Sequence, residues 1–193
     1  MSHNVWFTSD THFGHANVIR YSSRPWAMVN DMNDGIIERW NQFIKPGDTV
    51  YHLGDLCLTK RVDVIDEWLG RLNGTIRLIK GNHDDWTRRF DRLKNKHKIK
   101  WIRDYAERTF VVDEKKWKFI LCHFPMLFWH NSHHGSIMLH GHCHGNAQHH
   151  NVGVRRMDVG VDCNDWRPVL LENIITMMEQ VGLNPHHDRH NKE

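Results

Sequence analysis

Apolar and polar residues along this chain fall into two regimes. Up to about residue 93, short apolar runs alternate with longer stretches of helical spacing. Val5-Trp6-Phe7 reads as a buried strand and Asn17 to Tyr21 as the start of a helix. Met32 to Phe43 places Met32, Ile36, Ile37, Trp40 and Phe43 on one helical stripe. A turn at Pro46-Gly47-Asp48 leads into a strand over Thr49 to Leu53. Val62 to Leu72 repeats the helical stripe through Val62, Ile65, Trp68, Leu69 and Leu72. Thr75 to Ile79 is a third strand, and Asp84 to Leu93 is expected to be helical. Beyond that the spacing turns strand-like. Arg108 to Val112 and Trp117 to Leu121 flank Asp113-Glu114-Lys115-Lys116, a hairpin signal. Ser136 to Leu139 and one or two strands within Val152 to Val161 follow, and Val169 to Val181 is a closing helix. Strands alternating with helices predict α/β layers.

Bulk properties narrow the setting. The 193 residues suit one domain with one sizeable core. No repeat, linker or second domain is visible, so residues 1–183 are expected to form the domain and 184–193 a polar, disordered tail. Nothing reads as a signal peptide or a membrane span, which predicts a cytoplasmic protein. Four cysteines without paired spacing, Cys57, Cys122, Cys143 and Cys163, read as free thiols. A net charge of +3 predicts no extended nucleic-acid surface. The outlier is histidine, at 18 residues, many of them between 123 and 150. His186, His187 and His190, in the tail, read as incidental.

Five short blocks end the apolar runs: Asp10-Thr11-His12, Gly54-Asp55, Gly81-Asn82-His83-Asp84, Cys122-His123 and Gly141-His142-Cys143-His144. In open α/β sheets function collects at the carboxyl ends of strands, so residues far apart in sequence are expected to converge. Carboxylate, amide and imidazole together suit Mn, Fe, Zn, Ni or Co, and the constellation predicts two-metal hydrolysis of a phosphate ester. The glycines before Asp55, Asn82 and His142 are expected to free sharp turns. An extended 142–144 segment would put His142 and His144 on one side and Cys143 on the other.

In order and spacing these blocks resemble the calcineurin-like metallophosphoesterases, whose pattern is D-x-H, GD, GNH-D/E, H and GHxH. Asp10-Thr11-His12-Phe13-Gly14-His15, Tyr51-His52-Leu53-Gly54-Asp55 and Gly160-Val161-Asp162 to Arg167-Pro168 look most like the small, single-domain bacterial and phage branch. The resemblance implies a four-layer α-β-β-α sandwich of two mixed sheets. It implies two divalent ions, with Mn the expected metal and Fe, Zn, Ni or Co the alternatives. Asp10, His12, Asp55 and His144 would hold one; Asp55, Asn82, His123 and His142 the other. A bridging hydroxide would attack phosphorus while His83 assists the leaving group, with Asp84 supporting it. One feature departs: Gly54-Asp55-Leu56-Cys57-Leu58-Thr59-Lys60-Arg61 lacks the second aspartate of GDxxDRG. That argues against a protein phosphatase and leaves His83 without an assigned partner.

Around this set, His15 is either a helix-start residue or a substrate contact. Asn82, Arg20, Arg24 and Arg167 are candidates for binding the phosphate. Trp26 and Trp129 either pack in the core or wall the pocket. The expected substrate is a phosphodiester or monoester, small or nucleotide-like. A nuclease acting on short oligonucleotides is the alternative, ahead of a non-catalytic metal-binding module. An oligomer is compatible with the sequence.

Overall fold

Two sheets lie face to face in the computed structural model, which describes residues 3–182. The first half of the chain gives β1 (Val5–Thr8), α1 (Ala16–Tyr21), α2 (Val29–Phe43), β2 (Thr49–His52), α3 (Val62–Arg71) and β3 (Thr75–Ile79). A 3₁₀ segment over Asp85–Arg92 follows, then β4 (Ile99–Arg103), β5 (Tyr105–Val112), β6 (Lys115–Cys122), β7 (Ile137–His140), β8 (Arg156–Asp158), β9 (Val169–Leu170) and α4 (Leu171–Glu179). One sheet has the order β4-β3-β2-β1-β9, parallel except for β9. The other runs β5-β6-β7-β8, with β5 antiparallel and the rest parallel. Both are mixed sheets, the α/β sandwich the sequence predicts.

The period of two along each inner strand decides which layer a side chain joins. Trp6, Val50, Ile76 and Leu78 face the helices, packing with Met32, Ile36, Trp40, Ile65 and Leu69. Phe7, Tyr51, Leu53 and Ile79 face the second sheet, against Trp117, Phe119, Leu121, Ile137 and Leu139. Phe7 stacks between Tyr51 and Phe119, with centroids at 5.2 and 5.6 Å. Helix α4 joins this same inter-sheet core through Leu171, Ile174, Ile175 and Met178. The outer face of the second sheet is covered by Trp129 with Met126 and Val154, from loops. Trp129 is therefore core, its indole N–H donating to the Ser136 carbonyl.

Several expectations needed adjustment. The segment expected to be helical from Asp84 is 3₁₀ and kinks at Arg89 (φ −113°, ψ 15°). It buries only Trp86, so no apolar stripe sustains an α-helix. Strand β4 was not anticipated: its Lys100 and Arg103 are exposed, and it lies at a sheet edge, where basic residues guard the open ladder. The closing helix begins only at Leu171, because Val169 and Leu170 first pair with Phe7 and Trp6. Between Val152 and Val161 there is one strand, β8. The predicted hairpin is present, with Asp113 and Glu114 both left-handed (φ 49° and 62°), as a two-residue I′ turn requires. The 184–193 tail lies outside the described residues.

Candidate metal centre

Strands β1, β2 and β3 of one sheet and β6 and β7 of the other deliver all five blocks to a common edge. The chain turns abruptly there. Asp10, His12, Asp55, His142 and His144 all adopt left-handed backbone, with φ of 57°, 52°, 56°, 69° and 47°. Such a conformation costs a non-glycine residue about 1–3 kcal/mol and persists only where the surroundings impose it. Here backbone amides lock it: Asp10 N–H donates to the Gly54 carbonyl at 2.9 Å and His12 N–H to that of Asp55 at 3.0 Å. His142 N–H donates to the Asp10 carboxylate at 3.0 Å. The 142–144 segment is thus not extended, since two positive-φ residues cannot sit in a strand. Its two imidazoles reach the site by turning, and each joins a different donor group.

Gly81 and Gly141 matter here for room more than for rotation. A Cβ on Gly81 would collide with the Asp55 side chain and backbone, and one on Gly141 with Ser9 and the Asp10 carboxylate. Only Gly54 of the three block glycines has positive φ (100°).

Two sets of donors result. Asp10, His12 and His144 form one and Asp55, His123 and His142 the other, with the ligand atoms in each within 4.8 Å of one another. Asp55 Oδ2 lies between the sets, 3.6 Å from His12 Nε2 and 3.5 Å from His123 Nε2. The Asn82 amide oxygen is 3.0 Å from both His123 Nε2 and His142 Nδ1. Hydrogen bonds at the far ring nitrogens fix two imidazoles: His123 Nδ1 donates to the Leu53 carbonyl at 2.8 Å, and His144 Nδ1 meets Asp162 Oδ2 at 2.7 Å.

The protonation pattern fits cation binding. Burial pushes the Asp10 carboxyl up to about 7, partly offset by His123, His144 and the Ser9 hydroxyl. Burial works against Asp55 too, yet His123, the His83 N–H and His12 hold it well below the usual carboxylate range. Burial drives His12 well down, so its ring is neutral. Its Nε2 is fully buried and has no hydrogen-bond partner among the described residues, while facing two carboxylates. A buried lone pair without a donor is costly unless a cation takes it. The residues present therefore fit a divalent metal.

The other predicted residues divide. His83 is at the site: its N–H donates to Asp55 Oδ1 at 2.8 Å and its ring lies 5.4 Å from that of His12 and 5.9 Å from that of His15. Among the described residues no carboxylate bonds its imidazole. His15 is there as well, its Nδ1 3.2 Å from His12 Nδ1. Arg20 is exposed over the ring of Tyr21, which in turn lies edge-on to His15.

Asp84, expected to support His83, acts on the loops instead: four N–H groups fill its buried carboxylate, those of Asp55 and Gly81 at 2.8 Å, Leu56 at 3.0 Å and the Trp86 indole at 2.9 Å. It ties the Asp55 loop to the Asn82 loop and so positions both. Arg24 is not open to substrate. Its guanidinium is buried, paired with both oxygens of Asp162 and bonded to the carbonyls of Asp10 and Thr11. Arg167 lies over Phe43 and beside Asp165, lining a hollow with Trp6, Pro168 and Met177 that holds no candidate ligand. Trp26 packs edge-on against Trp166 and lines a hollow with Glu38 and Arg39 that holds no candidate ligand.

Asp162, within the Gly160-Val161-Asp162 motif, carries a role that the motif alone does not reveal. It follows a short strand and a glycine, as Asp55 does, but with one residue between. Phe124 was passed over; it is exposed, with its ring 4.7 Å from that of His142.

Sandwich, convergent strand ends and donor sets together define a metal-dependent phosphoric ester hydrolase. The chain belongs to the calcineurin-like phosphoesterase family, which matches residues 3–170. An uncharacterized protein of Methanocaldococcus jannaschii is 33% identical over 181 residues, covering 91% of this chain and 92% of that one. The gene 66 protein of Mycobacterium phage D29 is 30% identical over 179 residues, with 82% and 88% covered. These relatives agree with the small bacterial and phage branch. A protein of unknown function from Aquifex aeolicus shares the fold, with a TM-score of 0.68 and 22% identity over 91% of this chain and all of that one. Among the described residues no helix is long and apolar enough to cross a membrane.

Proposed function

We propose that the protein hydrolyses small or nucleotide-like phosphodiesters, with monoesters as secondary substrates, at a dinuclear centre. The observation that carries this reading is Asp55 Oδ2 between two complete donor sets. Asp10, His12 and His144 would hold one ion and Asn82, His123 and His142 the other, with Asp55 shared. When bound, two such ions supply Lewis acidity that neutralises phosphoryl charge and lowers the pKa of a water. Mn suits this mixed carboxylate, amide and imidazole set, with Fe, Zn, Ni and Co as alternatives.

The chain's own residues do the rest. Hydrolysis adds water and breaks a P–O ester bond, and the departing oxygen needs a proton. His83, anchored through its backbone on Asp55, is placed to give it. Asp84 keeps the Asp55 and Asn82 loops in register. His15 and Asn82 border the phosphate position. With Arg24 and Arg167 turned elsewhere, no pair of arginines among the described residues closes on a phosphate dianion, which favours diesters. Residues 1–183 are read as one domain. Four free cysteines suit a reducing, cytoplasmic setting.

The test is a substrate panel on Mn-loaded protein: an aryl monoester, the matching diester, 2′,3′-cyclic nucleotides and short single strands. Measurable diester turnover that chelation abolishes is expected. A monoester preference above about a hundredfold in kcat/KM, roughly 2.7 kcal/mol, would overturn the diester reading.

A further inference from the structure

We infer that the cleft beside His83 is a leaving-group subsite for an alcohol that itself carries a second phosphate. This rests on the reading of His83 as the group that protonates the departing oxygen, because the alcohol must then lie on the His83 side of phosphorus.

A cavity of about 220 Å³ opens there, lined by Leu58, Thr59, Lys60, Asn82, His83, Asp85 and Trp86. It runs on into a depression of about 140 Å³ that shares Lys60, Asp85 and Trp86 and adds Arg88 and Arg89. The path therefore starts at a candidate ligand and the proposed acid and ends among three cations. Its single carboxylate, Asp85, is already engaged by Arg88 at 3.4 Å. Lys60 makes no ion pair among the described residues. The cleft is also built rather than accidental. Trp86 is almost wholly buried beneath it, with its indole N–H on Asp84. Arg89 Nη1 donates to the Lys60 carbonyl at 2.8 Å and so joins the two walls. An apolar side chain (Leu58), a hydroxyl (Thr59) and a distal positive end suit a sugar-like alcohol followed by an anion. The scissile phosphate stays at the donor sets and the second phosphate lies toward Lys60, Arg88 and Arg89.

Dithymidylate and its 3′- and 5′-phosphorylated forms test this on the Mn-loaded full chain. Product chromatography separates cleavage of the diester from removal of the added phosphate. One phosphorylated form is expected to exceed bare dithymidylate in kcat/KM by about fivefold, mostly through KM, the scale of contacts with exposed cations. The ratio should narrow between 50 and 200 mM salt, since exposed charges are screened. Lys60→Gln should bring it near one and Lys60→Arg should keep it. Equal rates for all three diesters, or an undiminished ratio in Lys60→Gln, would overturn the subsite. Metal uptake with no turnover of any ester would overturn the phosphoesterase reading and the subsite with it.

Discussion

The two donor sets are built in different ways. The Asp10–His12–His144 set lies deep: Asp10 is 0% and His12 2% exposed. Its bracing is ionic. Asp162 holds His144, and Arg24 holds Asp162 while also gripping the Asp10 and Thr11 carbonyls. The Asp55–His123–His142 set opens to solvent through His142 and Asn82. There a backbone carbonyl, that of Leu53, orients His123, and Phe124 leans on His142. One half thus depends on side-chain charge, which mutation and pH can remove. In the other a main-chain carbonyl orients the imidazole and the Asp84 carboxylate ties the loops through their backbone amides, and it is the half that substrate can approach.

Asp55 belongs to both halves, so removing it should erase the distinction. Asp55→Ala is expected to lower metal content at both positions and to abolish measurable turnover, because the carboxylate also anchors the His83 amide. Elemental analysis beside kcat reads it; two ions per chain and retained activity would sink the shared-ligand role. His83→Ala should separate chemistry from binding. Turnover should drop by about 10²–10⁴-fold, the usual worth of a general acid, with metal content near normal. A collapse of both would reassign His83 to holding the centre together.

Donor identities were legible in the sequence because each block combines ligand types with a strand end. The bracing was not. Arg24 and Asp162 are 138 residues apart, and no local pattern announces a buried ion pair between a loop and a distant strand end. Arg24 therefore looked like a phosphate contact, as any unpaired arginine near a motif would. The core strands and α2 and α3 were readable from their periodicity. Strand β4, polar on one face, and the 3₁₀ turns after Asp84 were not, because neighbours rather than their own apolar pattern hold them in place. For His142 and His144 the sequence indicated convergence but the wrong backbone: left-handed turns impose no residue preference on histidine strong enough to see.

Asp162→Asn should break the ionic half alone. The bond to His144 Nδ1 weakens while Arg24 keeps a neutral acceptor. Loss of a ligand's orienting partner typically costs 10–100-fold in metal affinity. Metal titration should therefore show one weakened ion and one unchanged. Weakening of both to the same degree would mean that the halves are not independently braced.

Finally, pH should distinguish the halves without mutation. Asp10 keeps its proton up to about pH 7 in the folded, metal-free chain, whereas an unfolded aspartate releases it near the ordinary value of 3.8. Between those values the folded state binds more protons than the unfolded one. Asp10 therefore contributes a loss of stability in the metal-free protein as pH rises from about 4 to 7, while His12 and His52, both lowered by burial, contribute in the opposite direction. A bound cation needs the ionised carboxylate, so it displaces that proton, and uptake in the Asp10 half should strengthen as pH climbs toward 7. Asp55 is ionised throughout this range and contributes no such release. His144 and His123 are each raised by neighbouring carboxylates against the effect of burial, one in either half, so they do not distinguish the two. Thermal unfolding with and without Mn from pH 5 to 8 measures the net effect: the metal-induced gain in Tm should grow with pH. Asp10→Asn should flatten the metal-free part of that dependence. A gain that does not grow with pH would mean that Asp10 is already ionised in the empty fold and that the ionic bracing, not burial, sets its charge.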